Sequence, residues 1–191
     1  MKLISKLLLL LSIVLLHWNT RLLAYETQRT LCREGEEVLF SCPVKDGTTI
    51  VSLCGSKHLT TQEGYLQYRF GRASHIELEF PTQRQETQKM FRYAQYSRYQ
   101  VNRVAVSFQR GSYTYALFDS YEGDMLPKTH EQGVQVTPSG ATRKEVTLMC
   151  RRAAIGNLYS LSSILPCDKD DPLNMGNANR LLPLYLPSHR V

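Results

Sequence analysis

The sequence predicts an all-β domain, an antiparallel barrel or sandwich of about eight or nine strands. Three observations carry this. Apolar residues recur with period two rather than 3.6 along most of the chain. Short alternating runs are separated by turn-forming residues, such as Asp46-Gly47, Arg110-Gly111 and Pro138-Ser139-Gly140. No strong helical stripe is present; residues 86–95 and 153–161 are the two weak helical alternatives. Regular short strands joined by hairpins give an antiparallel architecture.

The chain of 191 residues has room for one ordinary domain. Residues 1–24 read as a secretory signal peptide rather than as part of the fold. Lys2 and Lys6 supply the positive start, residues 7–16 are apolar except Ser12, and Leu22-Leu23-Ala24 offers a cleavage site after Ala24. The apolar run is about half the roughly 20 residues a spanning helix needs, so no transmembrane segment is expected after cleavage. Loss of Lys2, Lys6 and Arg21 leaves 20 basic against 17 acidic residues, a net charge of +3 instead of the +6 of the whole chain. That modest charge argues against a nucleic-acid partner. The expected location is secreted or periplasmic, with residues 25–167 as one domain and 168–191 as a flexible tail.

The strands follow in order. Val38, Phe40, Cys42 and Val44 alternate on one strand. Leu66, Tyr68 and Phe70 share a face, with Tyr65, Gln67 and Arg69 on the other; Ile76, Leu78 and Phe80 repeat the pattern. Placing Phe70 opposite Ile76 sets Arg69 opposite Glu77 on a solvated face, a favourable cross-strand pair. Residues 91–98 make a further candidate strand. Val104, Val106 and Phe108 lead into Arg110-Gly111, and Tyr113, Tyr115 and Leu117 follow it. A two-residue turn there pairs Phe108 with Tyr113, Val106 with Tyr115 and Val104 with Leu117. Val134 and Val136 precede the loop at 138–143, and Val146, Leu148 and Cys150 follow it on one face.

Five cysteines in an exported chain imply disulfides, at most two within one molecule. The expected pairs are Cys150–Cys167, closing a loop near the C-terminal end, and Cys42–Cys54. The second depends on register: a turn at Asp46-Gly47 places Cys42 opposite Val51, whereas a Gly47-Thr48-Thr49 loop places it opposite Cys54. Cys32 is then unpaired, with the opposite choice, Cys32 bonded and Cys42 or Cys54 free, left open.

The catalytic motifs of hydrolases, zinc enzymes and phosphate-binding loops are not found in the sequence. Glu77 and Glu79 share a strand face, as paired carboxylates for acid–base chemistry would, but alternation on a solvated face explains them at once. His58, His75, His130 and His189 are not at metal-ligand spacing, and Asp168, Asp170 and Asp171 lack a cation-loop signature. No catalytic residue, cofactor or metal is expected. The suggestive stretch is 84–110, with six basic residues against the single acid Glu86 and interleaved tyrosines. Arg92, Tyr96, Arg98, Tyr99, Arg103 and Arg110 are the candidate binding residues, because Arg and Tyr anchor protein interfaces and stack on sugars.

The segments FSCPV at 40–44, VSLCG at 51–55, GYLQYRFG at 64–71 and IELEFP at 76–81 resemble uncharacterised secreted bacterial proteins over roughly residues 36–167. That likeness implies no particular activity. The chain is also similar, less closely, to periplasmic C-type lysozyme inhibitors, which are disulfide-bonded antiparallel barrels that insert a loop into the enzyme cleft. The resemblance implies an inhibitory loop at Ser139 with Arg143 and Lys144. The leading expectation is a non-enzymatic envelope protein that binds a protein or glycan; the alternatives are a periplasmic inhibitor of a lysozyme-like hydrolase and a small secreted hydrolase.

Overall fold

Nine strands among the described residues form two antiparallel sheets that stack as an open sandwich, not a closed barrel. The computed structural model describes residues 29–140 and 144–174; the expected signal peptide, Arg143 and most of the expected tail lie outside them. The first sheet has the order β1 (Glu36–Val44), β2 (Thr49–Ser56), β3 (Leu66–Arg72), β4 (His75–Phe80). The second has β5 (Phe91–Arg98), β6 (Val101–Arg110), β7 (Tyr113–Glu122), β8 (Thr129–Pro138), β9 (Val146–Met149). Every strand pairs with its sequence neighbour, and the one exchange of sheets falls between β4 and β5. The two weak helical stretches shrink to single 3-10 turns at Thr87–Met90 and Leu158–Leu161.

The alternating apolar residues meet between the sheets. Phe40, Leu53, Tyr68 and Phe80 form one row across the first sheet, and Phe91, Phe108 and Tyr115 one row across the second. Phe108 is the point where the rows interlock. Its ring stacks on Phe80 at 4.6 Å and on Tyr115 at 5.0 Å, and meets Tyr68 at 5.0 Å and Phe91 at 5.4 Å between centroids. Offset and edge contacts of this kind add to the area term of burial. Burial pushes the Tyr68 hydroxyl far above its ordinary range, with the nearby Tyr115 adding to the effect.

Two registers and one strand face differ from those the sequence predicts. Phe108 faces Tyr115, not Tyr113, because the turn is Gly111-Ser112 and Arg110 pairs with Tyr113. Gly111 adopts φ 58°, the region that favours glycine. The slip is by two residues, so all six apolar side chains keep their face. Phe70 faces Leu78 and Arg69 faces Glu79, because a bulge interrupts the β3–β4 ladder after Phe70. Gly71 there has φ 142°, and a Cβ on it would lie 2.5 Å from the His75 carbonyl oxygen, so no other residue fits the bulge undistorted. A third irregularity, at Leu39, moves Val38 to the Cys54 face and leaves Phe40, Cys42 and Val44 pointing inward.

The β1–β2 hairpin takes the register of an Asp46-Gly47 turn, with Cys42 opposite Val51. Asp46 organises the loop. The Thr48 hydroxyl and the Thr48 and Thr49 amides donate to its carboxylate and hold its pKa down at about 2.

Both expected disulfide pairings are corrected. The bridges are Cys32–Cys54 and Cys42–Cys150, and Cys167 is a free, exposed thiol. Cys42 points into the sandwich, so its partner comes from the opposite sheet, just after β9. Cys54, one residue beyond Leu53, points out of the sandwich and meets Cys32 in the segment that covers the outer face. The chain after β9 returns along β1, where Ile155 exchanges both backbone bonds with Ser41 at 2.8 and 2.9 Å. Gly156 follows at φ 97°, and a Cβ there would come within 2.5 Å of the Leu39 backbone.

The segment after Leu165 runs beside β5. Tyr93 donates its amide to the Pro166 carbonyl and accepts from the Asp168 amide, at 2.9 and 2.8 Å. Residues 168–174, assigned to a tail from sequence, therefore start from a strand edge, and Leu173 is buried against Ala94 and Ala105.

Two outcomes follow. Phe108→Ala removes four ring contacts at once and costs about 3–5 kcal/mol, measurable as a lowered urea midpoint. Alkylation without reduction adds one label, at Cys167, and alkylation after reduction adds five, read by peptide mass mapping.

Candidate functional site

The basic-aromatic residues between 84 and 110 do not gather into one patch. Alternation places Arg92, Tyr96 and Arg98 on the outer face of β5 and Arg103 on the outer face of β6. The β5–β6 hairpin then spreads them along its length. Arg98 and Tyr99 stand at its turn, whereas Arg110 stands at the far end of β6, about 30 Å away at roughly 3.4 Å per residue.

Most of these charges are also engaged within the fold. Arg103 is 8% exposed, pairs through Nε with Glu122, and lies 6.0 Å from the Tyr96 ring centre. Arg98 pairs with Asp124 at 2.6 Å, an interaction that raises its pKa. Arg92 donates to the carbonyls of Lys89 and Phe91 at 2.7 and 3.0 Å. Glu131 lies beside the Arg103–Glu122 pair across the sheet; burial first, and the Glu122 charge second, push its carboxyl upward.

What does come together is a loop end that sequence reading missed. The β5–β6 turn, Tyr99-Gln100, touches the β7–β8 connection, residues 123–128. The Gly123 amide donates to the Gln100 carbonyl at 2.7 Å, and the Arg98–Asp124 ion pair bridges the same two loops. From this clamped base project three large apolar side chains: Tyr99 at 83%, Met125 at 65% and Leu126 at 89% exposure. Lys128 is exposed beside them. The signal was available: Gly123-Asp124-Met125-Leu126-Pro127 is turn chemistry around two apolar residues that no strand absorbs.

The remaining candidates are scattered. The Ser139 amide donates to the Ser112 carbonyl at 2.7 Å, tying the β8–β9 loop to the β6–β7 turn. Lys144 is exposed, and Arg143 lies outside the described residues. His58 and His75 are exposed, His130 pairs with Asp119 at 2.9 Å, and His189 lies outside the described residues. Asp168 and Asp171 form backbone turns, their carboxylates accepting from the Asp170 and Leu173 amides at 3.2 and 2.8 Å, and Asp170 itself is exposed. An open cleft of ≈ 540 Å³ is lined by Glu63, Gly64, Gln83, Arg84, Gln85 and Glu86. That lining supplies charge of both signs and no nucleophile–base pair. Donor atoms of Cys32, Glu36 and Cys54 lie within 4.8 Å of one another, but the disulfide uses both sulfurs.

The densest ionic cluster is buried instead, on the outer face of the first sheet. Arg69, expected on a solvated face, is 0% exposed. It donates to Glu79 through Nε at 3.0 Å, to Glu36 at 2.5 and 2.8 Å, to the Leu31 carbonyl at 2.9 Å and to Gln67 at 2.5 Å. Glu36 also accepts from the Arg33 amide at 2.6 Å and the Tyr65 hydroxyl at 2.8 Å. Burial alone would raise the Glu36 pKa; the hydrogen bonds from Arg69, Arg33 and Tyr65 outweigh it and hold the carboxyl below its ordinary value. These contacts satisfy one another and tie β1, β3 and β4 together through Arg69. Compared with known proteins, the chain matches no family model, no curated protein and no solved structure.

A carboxyl with a depressed pKa stabilises the fold above its unfolded value, and that contribution is lost as pH falls through the folded value. The Glu36 contribution to stability therefore declines below about pH 4.3. Glu36→Gln makes that acid slope shallower and destabilises the fold at pH 7, by less than the about 3–5 kcal/mol of an uncompensated buried charge because Arg69 keeps its pairing with Glu79. Urea unfolding between pH 3 and pH 7 measures both effects.

Proposed function

We propose that the protein is an exported, non-enzymatic binding protein that engages a protein partner through the paired loop tips carrying Tyr99, Met125 and Leu126. The observation that carries this reading is the exposure of three large apolar side chains on a rigid base of two hairpins. Aromatic residues and Met are enriched where protein interfaces bury their anchors. Loops held by a rigid sheet are where binding residues concentrate. Met125 and Leu126 offer apolar surface and almost no hydrogen bonding, which favours a protein partner over a glycan. The leader-like residues 1–24 and the two disulfides support export to an oxidising compartment.

The test is quantitative capture from cell-envelope extract, comparing the native chain with the variant Tyr99→Ser/Met125→Ser/Leu126→Ser. A partner held by these anchors is depleted at least about 30-fold, since one central anchor contributes about 2 kcal/mol. Arg92→Ala and Arg110→Ala, distant from the tips, leave capture unchanged. Equal capture by native and triple-variant chains removes this reading.

A further inference from the structure

The strands of the second sheet run on past the apolar core. On the face turned to the first sheet, Tyr93, Val106, Leu117 and Val134 form a buried row across β5 to β8. The next row on that face is Gln95, Val104, Asp119 and Gln132, and beyond it come Ser97, Asn102, Tyr121 and His130. Val104 is buried, whereas the others are half-buried or exposed. His130 is 52% and Asp119 18% exposed at the side chain. These two rows therefore make an open polar shelf, about 14 Å across at roughly 4.8 Å per strand spacing. Tyr159, on the Leu158–Leu161 turn, borders it. Burial first, then the Asp119 charge and Tyr93, push the Tyr159 hydroxyl above its ordinary range and keep it a donor.

The polar groups of the shelf are held in place by one another. Gln132 donates to Asp119 Oδ2 at 2.6 Å, and His130 Nε2 meets Asp119 Oδ1 at 2.9 Å. The Ala154 amide donates to Gln132 Oε1 at 2.8 Å, which fixes the orientation of that side chain. On the β5 side, Tyr93 donates to Gln95 Oε1 at 2.7 Å, Gln95 donates to Ser97 Oγ at 2.9 Å, and Ser97 donates to Asn102 Oδ1 at 2.5 Å. Tyr121 is positioned as well. Its ring meets the His130 ring edge-on at 6.1 Å, and a Cβ on Gly123 would lie 2.6 Å from its hydroxyl oxygen. Glycine at 123 thus leaves the space that the Tyr121 side chain occupies. A surface ordered in this way loses little freedom when it binds.

The chemistry of the shelf selects its ligand. Planar carboxamides and a carboxylate present acceptors and donors in pairs, which match the vicinal hydroxyls of a pyranose. The phenol ring of Tyr121 offers an apolar face for the C–H face of a sugar. Neither row contains Lys or Arg, and Asp119 is a carboxylate, so an anionic polymer is disfavoured. We propose that the shelf is a binding site for a neutral oligosaccharide, its hydroxyls held by Asp119, His130, Asn102, Gln95 and Gln132 and one ring stacked on Tyr121. This inference goes beyond the loop-tip reading. The shelf and the tips share no residue, so either can fail while the other stands.

The experiment is an NMR titration of the isotope-labelled full chain with neutral trisaccharides at millimolar concentration. The probes are chitotriose, which carries acetamido groups, and maltotriose, which carries hydroxyls alone. Expected with at least one of them are saturable shifts of the Gln95 and Gln132 side-chain amides and of the Tyr121 and His130 rings. The sugar that gives them separates acetamido from hydroxyl recognition. His130→Ala and Tyr121→Leu each weaken that binding about tenfold, as loss of one hydrogen bond or one ring contact does. Unchanged amide shifts away from the shelf check that the variants fold, and His130, exposed at the surface, decides the matter if Tyr121→Leu does not. Tyr99→Ser/Met125→Ser/Leu126→Ser leaves the titration unchanged. Absence of saturable shifts with both sugars overturns the proposal. Shifts confined to other surfaces, or native affinity in His130→Ala, overturn it as well.

Discussion

The first sheet depends on a single buried cation. A guanidinium has five N–H donors in a planar fork and cannot shed its charge, so a sheet that buries Arg69 must supply five acceptors around it. It does so from four places in the chain: the Leu31 carbonyl, Glu36 on β1, Gln67 on β3 and Glu79 on β4. The acceptors are themselves held. Gln67 donates to the Pro81 carbonyl at 2.7 Å, and Arg33 reaches Glu79 at 3.2 Å. A buried pair of this kind contributes little net stability relative to an apolar core, because desolvation offsets most of the attraction. What it does impose is geometry. The N-terminal residues 29–35 close over this face in one arrangement, with Leu31 bonding to Ser52 and Ser41 bonding to the Arg29 carbonyl.

The disulfides reinforce the two closures that hydrophobic burial alone defines loosely. Cys32–Cys54 pins the covering segment to β2 beside the Arg69 cluster. Cys42–Cys150 joins the sheets across the core and spans 108 residues of chain. In the chain-entropy account such a loop lowers the freedom of the unfolded chain by about 4.7 kcal/mol, against roughly 3 kcal/mol for a loop of a few tens of residues. The longer bridge thus constrains the contact that is hardest to form, the one between the first strand and the last.

Much of this architecture is legible in the sequence, because period two and turn residues are local signals. They give the fold class, the strand at Phe91–Arg98 and most of the side chains that share the sandwich core, though Leu39 rather than Val38 enters it. They do not give which face is covered. Alternation puts Gln67 and Arg69 together, but the cover is an irregular stretch with no period, so Arg69 reads as solvated. Disulfide pairing fails for the same reason. Cys42 faces a cysteine from the other sheet, and sheet stacking is set by long-range packing, not spacing. Registers slip where Gly71 and Gly111 admit backbone conformations that a regular turn does not require.

The displacement of the candidate site from the arginines to the loop tips has a thermodynamic basis. An arginine already paired inside the fold gains little from a new partner, since each bond it makes there replaces one it had. Arg103 with Glu122, Arg98 with Asp124 and Arg92 with two carbonyls are in that position. Sequence concentrates them between 84 and 110; folding engages them one by one. Tyr99, Met125 and Leu126 are the opposite case. Their apolar area still faces water, and its removal from water is favourable at roughly 25 cal/mol per Å². On the proposed reading, the Arg98–Asp124 pair would hold the two tips at a constant separation and so lower the ordering cost of association.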